Sequence, residues 1–394
     1  MPKRILFAHH VSSIGGGSYC MKSIIKELDR SLFQPLAVLP GEGPLADDLR
    51  ELGVEVVFFP EMSAIPYNQS LFRTDSLHDY YSVYKSVPKW KALLSELHVD
   101  VLYLNNMMLC RYLKPAKKCG CKTVIHVREH WPLNEHRRQL AKAQECVHRY
   151  ADEVIAINHY SASMFPQKQA RIVYDWIDMD NRYKPMPMDE VFGEDMAGKK
   201  VFLYMGGVQR IKGAYEVMST FCNKLTDSSY RLLAMGLTKE LSGTGIVKTL
   251  KTLMYKLGIP PYEYKVKMLA RKDPRVTCIP YMFEMKDIMA QSYCMLSCFT
   301  MPHANLSLAE AIVMGLPAIA ARTEESEEYS LGGTLASLYE INDTDAFEKA
   351  IRSFVSDEST LRAALTPDAR RKVAEMFSAE RNSAILNKTL SDLV

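Results

Sequence analysis

The sequence predicts an α/β protein made of two Rossmann-like, doubly wound domains. Three observations carry this. The chain has 394 residues, while single cores stop growing at about 250–300 residues, so two domains of about 200 residues each are expected. Short apolar runs alternate with longer amphipathic stretches, the pattern of parallel strands joined by crossover helices. That pattern stops at a stretch containing Pro185, Pro187, Gly193 and Gly198, then starts again.

Residues 5–8 read as the first strand, followed by Gly15-Gly16-Gly17-Ser18 and a helix over about 19–28. Strands follow at 36–39, 54–59, 101–104, 123–126 and 154–157, with a helix at 45–52 after the second. The second copy opens with a strand at 201–205 ending in Gly206-Gly207, then a helix at 214–225. Further strands are expected at 231–235, 276–278, 295–298 and 317–320. The expected domains are therefore 1–180 and 201–376, with a linker at 181–200. Residues 377–394 have a helical pattern, and that helix could cross back to the N-terminal domain. Open α/β sheets bind ligands at the carboxyl ends of their strands, so a cleft between two such edges is the expected site.

Composition narrows the classes. With 47% hydrophobic and 24% charged residues, 19 Gly and 19 Pro, the chain is not disordered, collagen-like or a coiled coil. The balance of 49 Lys+Arg against 46 Asp+Glu, a net of +3, gives no general footprint for nucleic acid. Nine cysteines are scattered. Cys119 and Cys121 stand one residue apart and Cys294 and Cys298 three, so neither pair forms the knuckle of a zinc site, and no metal is expected. Free thiols without a leader segment point to the cytosol. No apolar run reaches the 18 residues of a membrane span.

Three constellations carry chemistry. Gly15-Gly16-Gly17 after the first strand lets backbone N–H groups approach a ligand, with a helix start behind them. It does not fit the dinucleotide fingerprint, since Cys20 stands where a third Gly or Ala is needed and the second strand runs into Pro40-Gly41. Gly206-Gly207-Val208-Gln209-Arg210-Ile211-Lys212-Gly213 follows the first strand of the second domain, and Arg210 and Lys212 could reach a diphosphate. Pro302-His303-Ala304-Asn305-Leu306-Ser307 leads into an apolar helix with Glu310 read in its first turn. That carboxylate could be a partner for the helix dipole or an acceptor for the hydroxyls of a ribose.

Taken together and in this order, these residues resemble the retaining glycosyltransferases of the GT-B fold, family-four type, over essentially the whole chain. Gly15-Gly16-Gly17 resembles the family's first loop, Thr123-Val124-Ile125-His126 its strand ending in His, and Ala151 to Asn158 its "AD-V-IA-S" segment. Tyr174-Asp175-Trp176-Ile177-Asp178 echoes the "-NG-D" signature, with Asp175-Trp176 in place of Asn-Gly. Gly206 to Gly213 resembles the "G-----KG" turn. Glu310, Ala311, Gly315 and Pro317 match the "EA---G-P" helix, and Phe377-Ser378-Ala379-Glu380 the terminal "FS-E".

The resemblance implies that Glu310 holds the ribose of a nucleotide diphosphate sugar and that Lys212 neutralises the diphosphate. It implies that His126 lies beside the donor sugar, with Gly15, Gly16 and Gly17 near the sugar and phosphates. Lys212, Arg210 and His126 are the expected catalytic residues. Gly207, His303, Asn305, Leu306 and Ser307 join Glu310 and the three glycines as donor-binding residues. Two departures stand out: Pro302 replaces the family's other Glu, so His303 or Asn305 would take over sugar contacts, and Gly207 replaces an Arg, so Arg210 would supply that charge. Glu129 and His130 could line the same cleft.

The implied enzyme uses no metal or cofactor. Protein cations stabilise the leaving phosphate, and attack on the same face gives net retention. The expected partners are a nucleotide sugar and a glycan or lipid-diphosphate acceptor, in synthesis of a bacterial-type surface glycan. Between residues 101 and 128 lie Arg111, Lys114, Lys117, Lys118, Lys122 and Arg128 and no acid. Tyr80, Tyr81, Tyr84, Trp90, Lys85, Lys89 and Lys91 mix aromatics with cations nearby, and 239–272 holds eight basic residues against Glu240 and Glu263. These could meet anionic lipid, placing the protein peripherally on the inner face of the cytoplasmic membrane. Residues 324–328, with Glu324, Glu325, Glu327 and Glu328, read as a solvated helix start. The alternatives are a nucleotide-sugar epimerase on the same scaffold and a non-catalytic sugar-nucleotide binder.

Overall fold

The computed structural model describes residues 2–65, 74–131, 137–177, 183–241, 254 and 261–394. The chain forms two compact units, Met1–Trp176 with Phe377–Val394, and Ile177–Met376.

In the first unit, β1 (Lys3–Ala8), β2 (Phe33–Leu39), β3 (Glu55–Phe58), β4 (Val101–Leu104), β5 (Lys122–Val127), β6 (Glu153–Ala156) and β7 (Arg171–Ile172) form one sheet. Their order is β3-β2-β1-β4-β5-β6-β7, and every described pairing is parallel. Side chains alternate along β1. Leu6 and Ala8 enter a core with Trp90, Leu94 and Tyr112, while Ile5 and Phe7 enter the opposite one with Met21, Ile24, Leu386 and Leu390. A strand buried on both faces must be apolar throughout, which is why these strands read as short unbroken runs.

Helix Ala379–Leu393 belongs to this unit. Its apolar stripe carries Leu386 and Leu390 onto the sheet, and its polar residues fix its register. Asn382 Oδ1 accepts from the Tyr174 N–H at 2.9 Å. Asn387 accepts from the Asp29 N–H at 3.0 Å and donates to the Glu27 carbonyl at 2.9 Å.

In the second unit, β8 (Lys200–Tyr204), β9 (Tyr230–Met235), β10 (Val276–Ile279), β11 (Cys294–Ser297), β12 (Ala318–Ala321) and β13 (Ser337–Tyr339) form a sheet in the order β10-β9-β8-β11-β12-β13. It too is parallel at every described pairing. Phe202, Phe221, Leu232 and Phe347 fill one of its faces. Residues 183–200 lie against this unit: the Met186 N–H donates to Asp287 at 2.7 Å, and Glu194 pairs with Arg231 at 2.6 Å.

Several sequence expectations change. β7 and β13 did not show as strands, being two and three residues long at the sheet edges. Pro317 is outside β12, although its carbonyl accepts from the Met295 N–H at 2.8 Å. Trp90 is no surface aromatic. It is fully buried, its ring 5.3 Å from Phe59 and 4.9 Å from Tyr112.

Leu390→Ala leaves a hole between the terminal helix and the sheet. It is expected to destabilise the first unit by about 2–5 kcal/mol, read as a lower midpoint in urea unfolding. An unchanged midpoint would mean that the helix does not support the sheet.

Candidate functional site

Each sheet has one place where strand order reverses, and in such sheets the crevice there is where ligands bind. In the first unit it lies between β1 and β4, in the second between β8 and β11. A polar cluster occupies each.

In the second unit, β8 runs into Gly206, and Lys212 closes a short 3-10 turn, Arg210–Lys212. The turn is pinned from several sides. The Tyr204 hydroxyl donates to the Lys212 carbonyl at 3.2 Å, and the Thr300 N–H to the Ile211 carbonyl at 2.9 Å. Gly213 has φ +68°, and a Cβ there would sit 1.7 Å from the Cys298 carbonyl oxygen, so only glycine lets the turn lie against the end of β11. Gly206 and Gly207 pack against other neighbours, Tyr204 and Gly236. A Cβ on Gly206 would strike Tyr204, and Gly207 has φ +61°. Gly207 thus shapes the turn.

Lys212, Asn305 and Ser307 line a small pocket with Tyr204 and Phe299. Burial lowers the Lys212 pKa, and the charge of Glu310 partly restores it. Glu310 is itself buried, at 4% exposure. It is not in the first turn: helix Leu306–Met314 begins after Asn305, which makes Glu310 its fifth residue. Asn305 occupies the capping position without capping. Its side chain turns away and donates to Ser297 Oγ at 2.8 Å, so no side chain closes that helix start. Helix Thr344–Ser356, by contrast, is capped by Asp343. An uncapped start leaves N–H groups for an anion. Leu306 and Ser307 are half-buried at this start, His303 lies with its ring 6.1 Å from Phe299, and Arg210 is exposed on the turn.

In the first unit the glycines are not a loop. Helix Gly16–Lys26 starts three residues earlier than the sequence suggested, with Gly15 as its uncapped end. A Cβ on Gly15 or Gly16 would meet nothing within 4 Å, so neither glycine is required by its protein neighbours. Open space over a helix start suits a ligand's approach.

The reversal point here holds residues that sequence reasoning missed: His9 and His10 after β1, Asn105 and Asn106 after β4. Asn105 donates to the Gly17 carbonyl at 2.9 Å and lies 3.1 Å from His9 Nδ1, and Asn106 lies 2.7 Å from His10 Nδ1. Burial lowers the pKa of His9 to about 3, helped by the neighbouring His10 ring and the Arg128 charge, and that of His10 to about 4. Both rings are therefore neutral. Paired polar residues directly after the two central apolar strands were the available signal.

His126 is fully buried at the end of β5, its pKa held well below the usual value by burial and by Arg128. Its Nδ1 lies 2.6 Å from the Tyr103 hydroxyl and 3.2 Å from Arg128 Nη2. Arg128 pairs with Asp175 and donates to Asn105 Oδ1 at 3.1 Å. Glu129 Oε2 accepts the Met107 and Arg128 N–H groups at 3.1 and 3.0 Å. His130 stacks on Tyr160 at 3.7 Å.

The basic surfaces shrink on inspection. Lys117 pairs with Asp152, Lys89 with Glu61, and Arg128 with Asp175. Tyr81 and Tyr84 remain exposed, with Lys85 over the Tyr81 ring at 4.8 Å. The side chain of Tyr80, Asp178, and most of the basic stretch 239–272 lie outside the described residues. Glu325 overturns the reading of 324–328 as solvated: it is wholly buried, behind a start capped by Thr323. Among the described residues no helix is long and apolar enough to cross a membrane, and no group of three His, Cys, Asp or Glu could hold a metal.

No protein-family model and no curated protein matches the chain. Solved structures do. HepE from Anabaena, in complex with UDP and glucose, is 19% identical with a TM-score of 0.73, covering 98% of this chain and 99% of its own. Sucrose-phosphate synthase from Thermosynechococcus elongatus is 13% identical with a TM-score of 0.72, covering 99% of each chain. A Listeria monocytogenes protein assigned as a UDP-N-acetylglucosamine 2-epimerase is 10% identical with a TM-score of 0.61, covering 100% and 98%. At these identities the likeness establishes the fold, and the fold is GT-B.

Burial raises the Glu129 pKa to about 7, against the pull of its backbone donors. An unfolded glutamate titrates near 4.3. Between those values the folded chain keeps a proton the unfolded chain has released, so this group's contribution to stability falls as pH rises. The stability of Glu129→Gln relative to the natural protein should therefore grow from about pH 4.5 to 7 and then level off, at about 3–4 kcal/mol. Urea unfolding at pH 5, 6, 7 and 8 measures it. A pH-independent difference would return Glu129 to the ordinary range.

Proposed function

We propose that this protein is a retaining glycosyltransferase. It moves a sugar from a UDP- or GDP-type donor to a glycan or lipid-linked acceptor, in synthesis of a bacterial-type surface polysaccharide. One observation carries the reading. At the β8/β11 reversal point a half-buried lysine and a buried glutamate stand beside a helix start that its own asparagine leaves uncapped. A nucleoside diphosphate needs those three things: a carboxylate for the ribose diol, a cation and N–H donors for the phosphates. The UDP-bound HepE structure supports the same ligand class for this fold.

In this reading Glu310 accepts from the ribose hydroxyls. Lys212 and the start of helix Leu306–Met314 meet the charge that builds on the diphosphate as the glycosidic bond breaks, with Arg210 adding to it from the exposed turn. These cations do the work a divalent ion does elsewhere, and the enzyme is metal-independent. His303 takes the sugar contact that the Glu replaced by Pro302 would make, because the Asn305 amide is committed to Ser297. His126 and the start of helix Gly16–Lys26 serve the transferred sugar. Attack on the face the phosphate leaves gives retention. Tyr81, Tyr84 and Lys85 give the protein a peripheral contact with anionic lipid.

A second reading is nucleotide-sugar epimerisation, which the Listeria neighbour favours. Incubation with UDP- and GDP-sugars separates the two. Nucleotide release that depends on an added acceptor supports transfer, and interconversion of the sugar without acceptor supports epimerisation. Binding with neither would leave a sugar-nucleotide binder.

Glu310→Ala is expected to weaken UDP binding by about 1–3 kcal/mol, the range for hydrogen bonds to a charged group. Lys212→Ala should weaken UDP but leave uridine nearly unchanged. Calorimetric titration with both ligands decides each. An unaltered UDP affinity in Glu310→Ala removes the ribose role, and equal losses for UDP and uridine in Lys212→Ala remove the phosphate role.

A further inference from the structure

The Arg128 guanidinium has a defined partner on each of its three nitrogens. Nη1 pairs with the Asp175 carboxylate, Nε donates to Asn105 Oδ1 at 3.1 Å, and Nη2 lies 3.2 Å from His126 Nδ1. Asn105 passes the connection on, donating through Nδ2 to the Gly17 carbonyl in the first turn of helix Gly16–Lys26. One planar group thus links the end of β5, the end of β4, the glycine-rich helix start and the segment that follows β7.

The chemistry at His126 depends on what its neighbours are able to do. The Tyr103 hydroxyl, 2.6 Å from Nδ1, can donate or accept, so alone it permits either neutral tautomer. A guanidinium has only donors. With Arg128 aimed at it, Nδ1 must keep its lone pair, and the ring proton must sit on Nε2. That nitrogen is buried and has no hydrogen-bond partner among the described residues. Protonation of both nitrogens would put a second cation against Arg128 in a buried site, and burial and the Arg128 charge both disfavour it.

We propose that Arg128, anchored by Asp175, is a positioning residue that commits His126 to its neutral Nε2–H tautomer, so that a fixed N–H donor faces a hydroxyl of the transferred sugar. The sugar part rests on the glycosyltransferase reading above, while the tautomer part does not.

Long-range proton–nitrogen correlation spectra of protein carrying nitrogen-15 histidine read the tautomer directly, with His126 assigned by the signal missing in His126→Gln. The natural protein should show a protonated Nε2 and a bare Nδ1, unchanged from pH 5.5 to 8. Tyr103→Phe should keep that pattern, since the donor-only partner remains. Arg128→Met should lose it, showing averaged nitrogen shifts at neutral pH or an imidazolium on acidification, with UDP affinity by calorimetry unchanged. An unaltered tautomer in folded Arg128→Met, or its loss in Tyr103→Phe, overturns the proposal. If Arg128→Met does not fold, an Nδ1–H tautomer in the natural protein overturns it equally. Addition of UDP-glucose should shift the Nε2–H signal, and a bound donor that leaves it unmoved removes the sugar contact. Failure of UDP to bind at all would count against the proposed function and leave the tautomer result standing.

Discussion

The parallel direction of every described strand pairing is the constraint from which the rest follows. Parallel strands point all their carboxyl ends to one edge and need crossover helices to return. Each helix therefore starts near that edge, with N–H groups pointing toward it. Where strand order reverses, between β1 and β4 and again between β8 and β11, adjacent crossovers go to opposite faces and leave a crevice. The polar residues that chemistry needs are the first residues past the apolar strands. His9, Asn105 and Arg128 stand there in the first unit, directly after β1, β4 and β5.

The helix starts at these two crevices carry no side-chain cap, as is also true of the starts after Gly43, Gly213 and Met285. Asp343, Thr323 and Ser378 each cap the helix they precede. Gly15 has no side chain to do so, and Asn305 turns its amide inward to Ser297. A cap contributes about 1 kcal/mol, so leaving two starts open is a cost to stability. At these two crevices an incoming anion or hydroxyl could take over the N–H groups.

The parts of this architecture legible in the sequence are those that burial makes uniform. The central strands are covered on both faces and read as unbroken apolar runs, whereas β7 and β13, at the edges, are too short to register. Helix starts were misplaced where low-propensity residues occupy them. Gly16 and Gly17 look like a loop but form a first turn, and Glu310 looked close to its helix start but is a full turn in. The cluster in the second unit could be picked out in the sequence because Lys212, Asn305 and Glu310 sit in two short segments. Much of the cluster in the first unit could not, because its partners come from four strand ends. Arg128 and Asp175 are 47 residues apart, and only the register of the sheet brings them together. The same blindness made 101–128 look like a free cationic surface, when Asp152 before β6 and Asp175 after β7 neutralise part of it.

The pairing of Arg128 with Asp175 also makes sense of the signature residue that departs from the family pattern. A buried ion pair is a poor source of stability, since desolvating two charges offsets most of their attraction, and a well-packed apolar pair does as well. An asparagine at position 175 would leave a buried guanidinium uncompensated. An apolar residue at 128 would remove that problem but would leave His126 Nδ1 facing only a hydroxyl that can either donate or accept. What the charged pair adds over both is direction: a donor-only group held in one plane by a carboxylate, with its remaining N–H bonds aimed at a carboxamide and an imidazole. Its presence in an otherwise neutral cluster is thus best explained by the orientation it imposes on its neighbours.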